Sequence, residues 1–200
     1  MKQAATRTGP EKTRRTRTRR SASRFIHSPT RPVPVPVPAP VLAPDFEAKI
    51  VAPEGLSAAL AALPRPLVFT NGCFDILHRG HVTLLAQARA LGASMIVALN
   101  SDASIRRLGK GDDRPVNTLA DRLAVIAALE SVSLVTWFEE DTPIERILEC
   151  RPDVLVKGGD WPTEKIVGHT EVVAWGGRTV SIPFIHQKST TALLEKIRRL

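Results

Sequence analysis

Cysteine is scarce in this 200-residue chain, with only Cys73 and Cys150 present. Two thiols cannot staple a secreted fold, and a pair this sparse usually serves as small buried apolar residues. A signal peptide and any apolar run of membrane-spanning length are also lacking. That removes the sequence grounds for export or membrane insertion and leaves a reducing cytoplasm as the expected setting. Neither common phosphate loop occurs. Without Gly-x-Gly-x-x-Gly after the first strand, and without a Walker-type Gly-Lys-Ser, hydride transfer and ordinary kinase chemistry lose their main support. No internal repeat is visible in the part of the chain that reads as folded.

Acidic residues are nearly missing from one end. Residues 1–44 carry a net charge of +9, with Glu11 as their one acid, whereas residues 45–200 come to −1 within a total of +8. The basicity belongs to the extension, so a nucleic-acid role, the rival from a different functional class, rests on "EKTRRTRTRR" and its surroundings alone. The same extension holds half of the sixteen prolines, many in "RPVPVPVPAP", and few large apolar side chains. It cannot bury enough surface to offset its ordering entropy, and it is expected to be disordered with polyproline II character. Its Arg-rich, acid-poor start is shared with mitochondrial transit peptides, but an amphipathic apolar face is missing. The expected division is a disordered Arg- and Pro-rich extension over 1–44 and a single folded domain over 45–200, a length suited to one core.

Within that domain, apolar runs alternate with helical patterns. "PLVFT", "SMIVALN", "SLVTWF", "DVLVKGG" and "RTVSIP" read as five strands. Between them, "GHVTLLAQARALG" reads as a helix ended by Gly92 at the C′ position, and "TLADRLAVIAALE" as one opened by Thr118 with Asp121 three residues on. "TPIERILEC" carries Pro143 at its first turn, "TEVVAWGG" is a short helix, and "STTALLEKIRRL" closes the chain with a basic last turn that suits its dipole. Unbroken apolar strands alternating with helices predict an α/β fold, a Rossmann-like doubly wound parallel sheet of about five strands. Ligands in such sheets lie beyond the carboxyl ends of the strands. Every unusual polar cluster follows a strand: "NGCFD", "NSD", "FEED", "KGGDW" and "HQKSTT".

The first of these leads into His78-Arg79-Gly80-His81. A helix starting near Arg79 would aim free N–H groups at an anion, with His78 and His81 on one side of its first turn and Gly80 open to close approach by a ligand. Two imidazoles there suit a centre that gains negative charge in its transition state, such as a phosphoryl group under in-line attack. A lone histidine would read as a helix cap or a solvated group; the position after the first strand, beside Gly-x-Phe-Asp, favours the ligand-facing reading.

"GCFDILHRGH" resembles the signature of the cytidylyltransferase-like nucleotidyltransferases, and "QKSTTALLEKI" resembles their second, Ser/Thr motif at the start of a late helix. "LNSDASIRRLGKGDDRPVN", "EEDTPIERI" and "RPDVLVKGGDW" narrow the resemblance to the heptose-1-phosphate adenylyltransferases among them, over residues 66–199. The resemblance implies that ATP and D-glycero-D-manno-heptose 1-phosphate give ADP-heptose, a precursor of the lipopolysaccharide core, and pyrophosphate. Mg²⁺ would enter mainly on the ATP phosphates, with no protein ligands assured. His78, His81 and Lys110 are then the catalytic residues. Thr70, Asn71, Gly72, Phe74, Gly80, Arg114, Lys157, Asp160, Ser189, Thr190 and Thr191 would bind the nucleotide, with Lys110 and Arg114 as mobile positive charge in a Gly-rich loop. Asp75, Asn100 and Asp102 fall to the sugar phosphate. A plain N-cap is the simpler role for Ser189 taken alone. Lys188 departs from the family, where a neutral or aromatic residue is expected, and Trp161 stands where tyrosine is common. The expected partners are a separate heptose-7-phosphate kinase upstream and a second copy of the chain as a candidate. Nucleic acid and membrane are not expected. A glycerol-3-phosphate cytidylyltransferase, or another small-metabolite nucleotidyltransferase, would share both hallmark motifs.

Overall fold

The computed structural model describes residues 45–109, 111, 113–186 and 188–200. The extension over 1–44 and Lys110 lie outside the described residues. Five strands, β1 (Leu67–Gly72), β2 (Ser94–Asn100), β3 (Leu134–Phe138), β4 (Val154–Gly158) and β5 (Arg178–Ile182), form one parallel sheet in the order β3-β2-β1-β4-β5. The helices are α1 (Leu56–Leu60), α2 (Arg79–Arg89), α3 (Asp102–Arg107), α4 (Leu119–Ala127), α5 (Ile144–Cys150), α6 (His169–Ala174) and α7 (Thr190–Arg198). This is the Rossmann-like, doubly wound architecture that the alternation of patterns predicts. Among the described residues no helix is long and apolar enough to cross a membrane.

The apolar strands are explained by burial on both sides. Successive side chains of a strand point to opposite faces, so Val68, Met95, Val97, Leu99, Val154 and Val156 pack with Leu85 of α2 and Ile126 of α4 on one face. Leu67, Phe69, Ile96, Ala98 and Leu155 meet Leu56 of α1, Ile147 of α5 and Val172 of α6 on the other. Each fully buried aliphatic side chain contributes roughly 1.5–3 kcal/mol. The two-sided core is therefore what holds the strand ends in register beneath the site.

Local signals are recovered unevenly. Thr118 caps α4 as expected, accepting from the Asp121 N–H, and the chain enters α5 through Pro143. Strand β1 runs two residues further than its apolar run, through Asn71 and Gly72, because β2 continues beside them. Helix α3 went unforeseen: "NSD" is expected only as a polar cluster at the end of the second strand, yet Ser101 accepts from the Ser104 N–H and starts a helix at Asp102. Gly92 is not a C′ glycine. Helix α2 already ends at Arg89, and Gly92 lacks the left-handed backbone of such a cap. It is there for proximity, since a Cβ would lie 2.7 Å from Val68 Cγ2 and closer still to the Pro66 carbonyl.

Candidate active site

The chain leaves β1 toward β2 and β3, then returns to β4 on the other flank of β1, so the strand order reverses between β1 and β4. A crevice opens at such a switch point beyond the carboxyl ends. A cavity of about 350 Å³ lies there, lined by Asn71, Gly72, Cys73, Asn100, Lys157 and Trp161 among others. Lys157 Nζ donates to Asn71 Oδ1 at 3.4 Å, linking the two strands that flank the switch. Asn100 is buried at the end of β2, where its Nδ2 donates to Ser104 Oγ at 3.0 Å. Trp161 is half exposed and anchored at its polar end, with Nε1 donating to the Gly158 carbonyl at 3.2 Å. Thr70, expected in the nucleotide pocket, is enclosed within the sheet; the lining starts one residue later.

His78 sits at the N-cap of α2 with an extended backbone but makes no side-chain capping bond. Its ring stacks instead on His81, with centroids 3.8 Å apart and 15° between planes. His81 in turn meets the edge of Phe74 at 5.2 Å and 67°. Phe74 has a left-handed backbone, φ 45°, which costs on the order of 1–2 kcal/mol for an L-residue. That conformation seats the ring over Gly72, where a Cβ would lie 3.0 Å from it. Phe74 therefore wedges the histidines in place rather than lining an open pocket. Gly80 has a related reason: the His78 ring and the His186 carbonyl cover it, 3.1 and 3.4 Å from where a Cβ would stand, so the space beside Gly80 belongs to His78 and not to a ligand.

Burial, together with His78 alongside, pushes the His81 imidazole down to about 4. Burial and the Lys188 ammonium hold His78 below its ordinary value. Both rings are neutral at pH 7, so each carries one N–H to donate. Both Nδ1 atoms are buried, and among the described residues neither has a hydrogen-bond partner. His78 Nδ1 is turned onto Gly80, 3.1 Å from where a Cβ would stand, and a buried polar atom without a partner carries a desolvation cost.

Beneath the histidines lies a paired ionic floor. Asp75 is 2 % exposed. It accepts from Arg114 Nε and from the N–H groups of Val116 and Asn117, the last two at 2.9 Å, while Asn117 Nδ2 donates to its carbonyl. Burial alone would raise the Asp75 pKa; these donors outweigh it and hold the carboxyl below its ordinary range. Arg122 is 1 % exposed. Its guanidinium donates to the carbonyls of Cys73 at 2.7 Å and Asn117 at 3.2 Å and to Asp102 Oδ1 at 2.7 Å. Asp75 and Arg114, expected at the sugar phosphate and as mobile charge, are thus committed to each other, and Asp102, also expected at the sugar phosphate, is committed to Arg122, which in turn holds the Cys73 carbonyl of the loop before the histidines. Arg122 escaped the sequence reading, although a cationic residue on the apolar stripe of Leu119, Leu123 and Ile126 was the available signal.

The opposite wall is α7. Ser189 is its N-cap, accepting from the Ala192 N–H at 3.1 Å. Thr190 is buried, and its Oγ1 donates to the Ile76 carbonyl at 3.4 Å, tying α7 to the loop before α2. Thr191 is exposed. A cavity of about 280 Å³ is shared by His78, Lys188, Ser189 and Lys196, and a second of about 440 Å³ by Asp160, His186, Lys188 and Ser189. The structure therefore gathers His78, His81, Asp160 and Ser189 at one end of the sheet, with Asn71, Lys157 and Asn100 in the adjoining crevice.

Comparison with known proteins agrees with this geometry. The chain is 60% identical over 156 residues to a D-beta-D-heptose 1-phosphate adenylyltransferase from Bordetella bronchiseptica, covering 77% of this chain and 96% of that protein. It is 56% identical over 134 residues to a bifunctional protein HldE from Hahella chejuensis, covering 66% of this chain but 28% of that longer protein. Among solved structures, a lipopolysaccharide core biosynthesis protein from Thermoplasma volcanium matches with a TM-score of 0.51 at 25% identity, covering 61% of this chain and 98% of that one. The sequence profile described as Cytidylyltransferase-like matches residues 69–192, from β1 through the opening of α7, which are the elements that bring the histidines and Ser189 together. With that profile spanning more than half of the chain and both of its walls, the chain belongs to the cytidylyltransferase-like family.

Proposed function

We propose that the chain is a heptose 1-phosphate adenylyltransferase, joining ATP and D-glycero-D-manno-heptose 1-phosphate to give ADP-heptose and pyrophosphate for lipopolysaccharide core synthesis. The observation that carries nucleotidyl transfer is the pair of neutral, stacked imidazoles at the start of α2, with His78 sharing a cavity with Ser189 at the start of α7. The choice of adenine and heptose is supported by the 60% identity to the Bordetella protein of that name.

The reaction is an in-line displacement. An oxygen of the sugar 1-phosphate bonds to the α-phosphorus of ATP, the bond from that phosphorus to the bridging oxygen breaks, and the electron pair leaves on pyrophosphate. The nucleophile is already an anion, so no general base is required and catalysis is positioning and charge stabilisation. His78 and His81 donate to oxygens of the α-phosphoryl group as it becomes pentacoordinate. Ser189, Thr191 and the first N–H groups of α7 receive the outer phosphates. Asn71, Gly72, Lys157, Asp160 and Trp161 hold the nucleoside, and Asn100 meets the sugar. Thr70, Phe74, Asp75, Gly80, Asp102, Thr190, Arg114 and Arg122 act from behind by fixing the loops.

Mg²⁺ supplies neutralisation of the phosphate charge when bound. The donors present suit an ion carried by the nucleotide, because Asp75 and Asp102 are already paired with arginines while Asp160 lies exposed on the rim. The sugar 1-phosphate requires an upstream phosphorylation, assigned here to a heptose-7-phosphate kinase, in the cytoplasm. A second copy of the chain is the candidate partner.

The deciding experiment measures pyrophosphate release with ATP and with CTP over heptose 1-phosphate and glycerol 3-phosphate. Turnover confined to ATP with heptose 1-phosphate is the expected result. Turnover confined to CTP with glycerol 3-phosphate would replace this reading with the cytidylyltransferase one.

A further inference from the structure

Lys188 is a residue at the edge of the site to which the proposed function assigns no role. It stands directly before the N-cap of α7, on a turn closed by its own N–H donating to the His186 carbonyl at 2.8 Å. Its side chain lines both cavities that meet at this helix start, the one under His78 and the one beside Asp160. It therefore forms the ridge between the histidine pair and the outer mouth of the site. A second source of positive potential, the N-terminal dipole of the nine-residue α7, converges on the same place.

We propose that Lys188 binds the leaving group: its ammonium holds the pyrophosphate half of the nucleotide at the mouth of α7 and takes up its charge as the bond to the α-phosphorus breaks. This rests on the nucleotidyl-transfer reading, though not on the choice of sugar. The electron pair released by the α-phosphorus stays on the bridging oxygen of pyrophosphate, and no proton has to accompany it if a cation is already at hand. A neutral residue at this position leaves that task to the Ser189 cap, the helix dipole and the metal. Lysine adds a compact point charge with three donors on a flexible stem, which can follow the departing group outward.

A second consequence reaches His78. Among the described residues, the charged or titratable groups about that ring include His81, stacked on it, Lys188 and Lys196, which share its cavity, and His186, whose carbonyl covers the same Gly80. The Lys188 charge opposes protonation of His78, so the ring stays a neutral donor to lower pH.

The test compares the full-length wild type with Lys188→Met and Lys188→Arg. Inorganic pyrophosphate with Mg²⁺ is titrated calorimetrically, and the pH profile of turnover and the ring-proton titration of His78 are recorded alongside. Loss of one charge-assisted contact predicts pyrophosphate binding about tenfold weaker in Lys188→Met, with Lys188→Arg near wild type. The KM for ATP should rise with it, and the acid limb and the His78 titration should both move to higher pH. A Lys188→Met protein with wild-type circular dichroism that binds pyrophosphate within twofold of wild type overturns the proposal while leaving nucleotidyl transfer intact. A wild type that neither binds pyrophosphate nor releases it from any nucleotide overturns both.

Discussion

The two walls of the cavity between the starts of α2 and α7 are built by opposite means. On the α2 side, residues 73–81 rest on Asp75, Arg114, Arg122 and Asp102, whose charges are matched and mostly removed from water. On the α7 side, Thr190 is the only buried residue of the helix, and Leu193, Ile197, Lys188 and Ser189 are exposed. The side that carries the two neutral imidazoles is preorganised, which is what electrostatic catalysis by them would require. The side proposed to receive the outer phosphates is tied, among the described residues, by the Thr190 hydroxyl and a surface ion pair between Arg198 and Asp113. Elements with few buried contacts open more readily than the core. Amide exchange in α7 is therefore expected to outpace that in β1 and α2.

The sharpest way to break this contrast is to remove its anchor. Arg122→Ala would strand the Asp102 carboxylate and two carbonyls, at a cost of about 3–5 kcal/mol. Urea denaturation reads that loss, and a change within 1 kcal/mol would mean the floor is not what fixes the histidine loop. Next comes His81→Ala, which should raise the barrier by about 3 kcal/mol, on the order of a hundredfold in kcat, with stability little altered. Steady-state pyrophosphate release checks it; turnover at wild-type speed would remove His81 from the reaction.

The pH dependence of stability probes the α2 side further. The folded His81 titrates near 4 and the ordinary value is 6.5, so below 6.5 the unfolded chain takes up a proton that the folded chain refuses. Stability should fall as pH drops from 6.5 toward 4, by about 2 kcal/mol at pH 4.5, and level off below that. His81→Gln should flatten this slope relative to wild type in the same denaturation series. Asp75 acts in a lower window. Its depressed pKa contributes stability that is present above the ordinary carboxylate range and is lost only as pH falls through the folded value. The smallest effect belongs to the loose wall. Ser189→Ala removes the α7 cap at about 1 kcal/mol, which should appear as faster exchange confined to α7, whereas a global loss of stability would show that α7 is not the separable element described here.

Much of this protein is legible in one dimension. Five apolar runs become five strands because each is buried on both faces. The histidine and serine motifs fall where they should, because a doubly wound sheet sends every strand's carboxyl end to the same edge. Thr118 and Ser189 cap their helices through bonds that span three residues. What escaped involves either close approach or distant pairing. Gly92 resembles a helix stop but answers to the neighbouring strand entry, and Gly80 resembles ligand space but lies under His78.

The sequence by itself determined the alternation of elements, the two-sided core, the strand-end position of the motifs and the family they resemble, since all of these follow from local periodicity and spacing. Only the tertiary structure decided the rest. It decided that Asp75 takes Arg114 across 39 residues, that Arg122 reaches Cys73 across 49, and that two imidazoles stack into a neutral pair. The physical reason is that ion pairing and desolvation depend on which side chains the sheet order brings together and how much water they exclude. Residue spacing along the chain carries neither quantity.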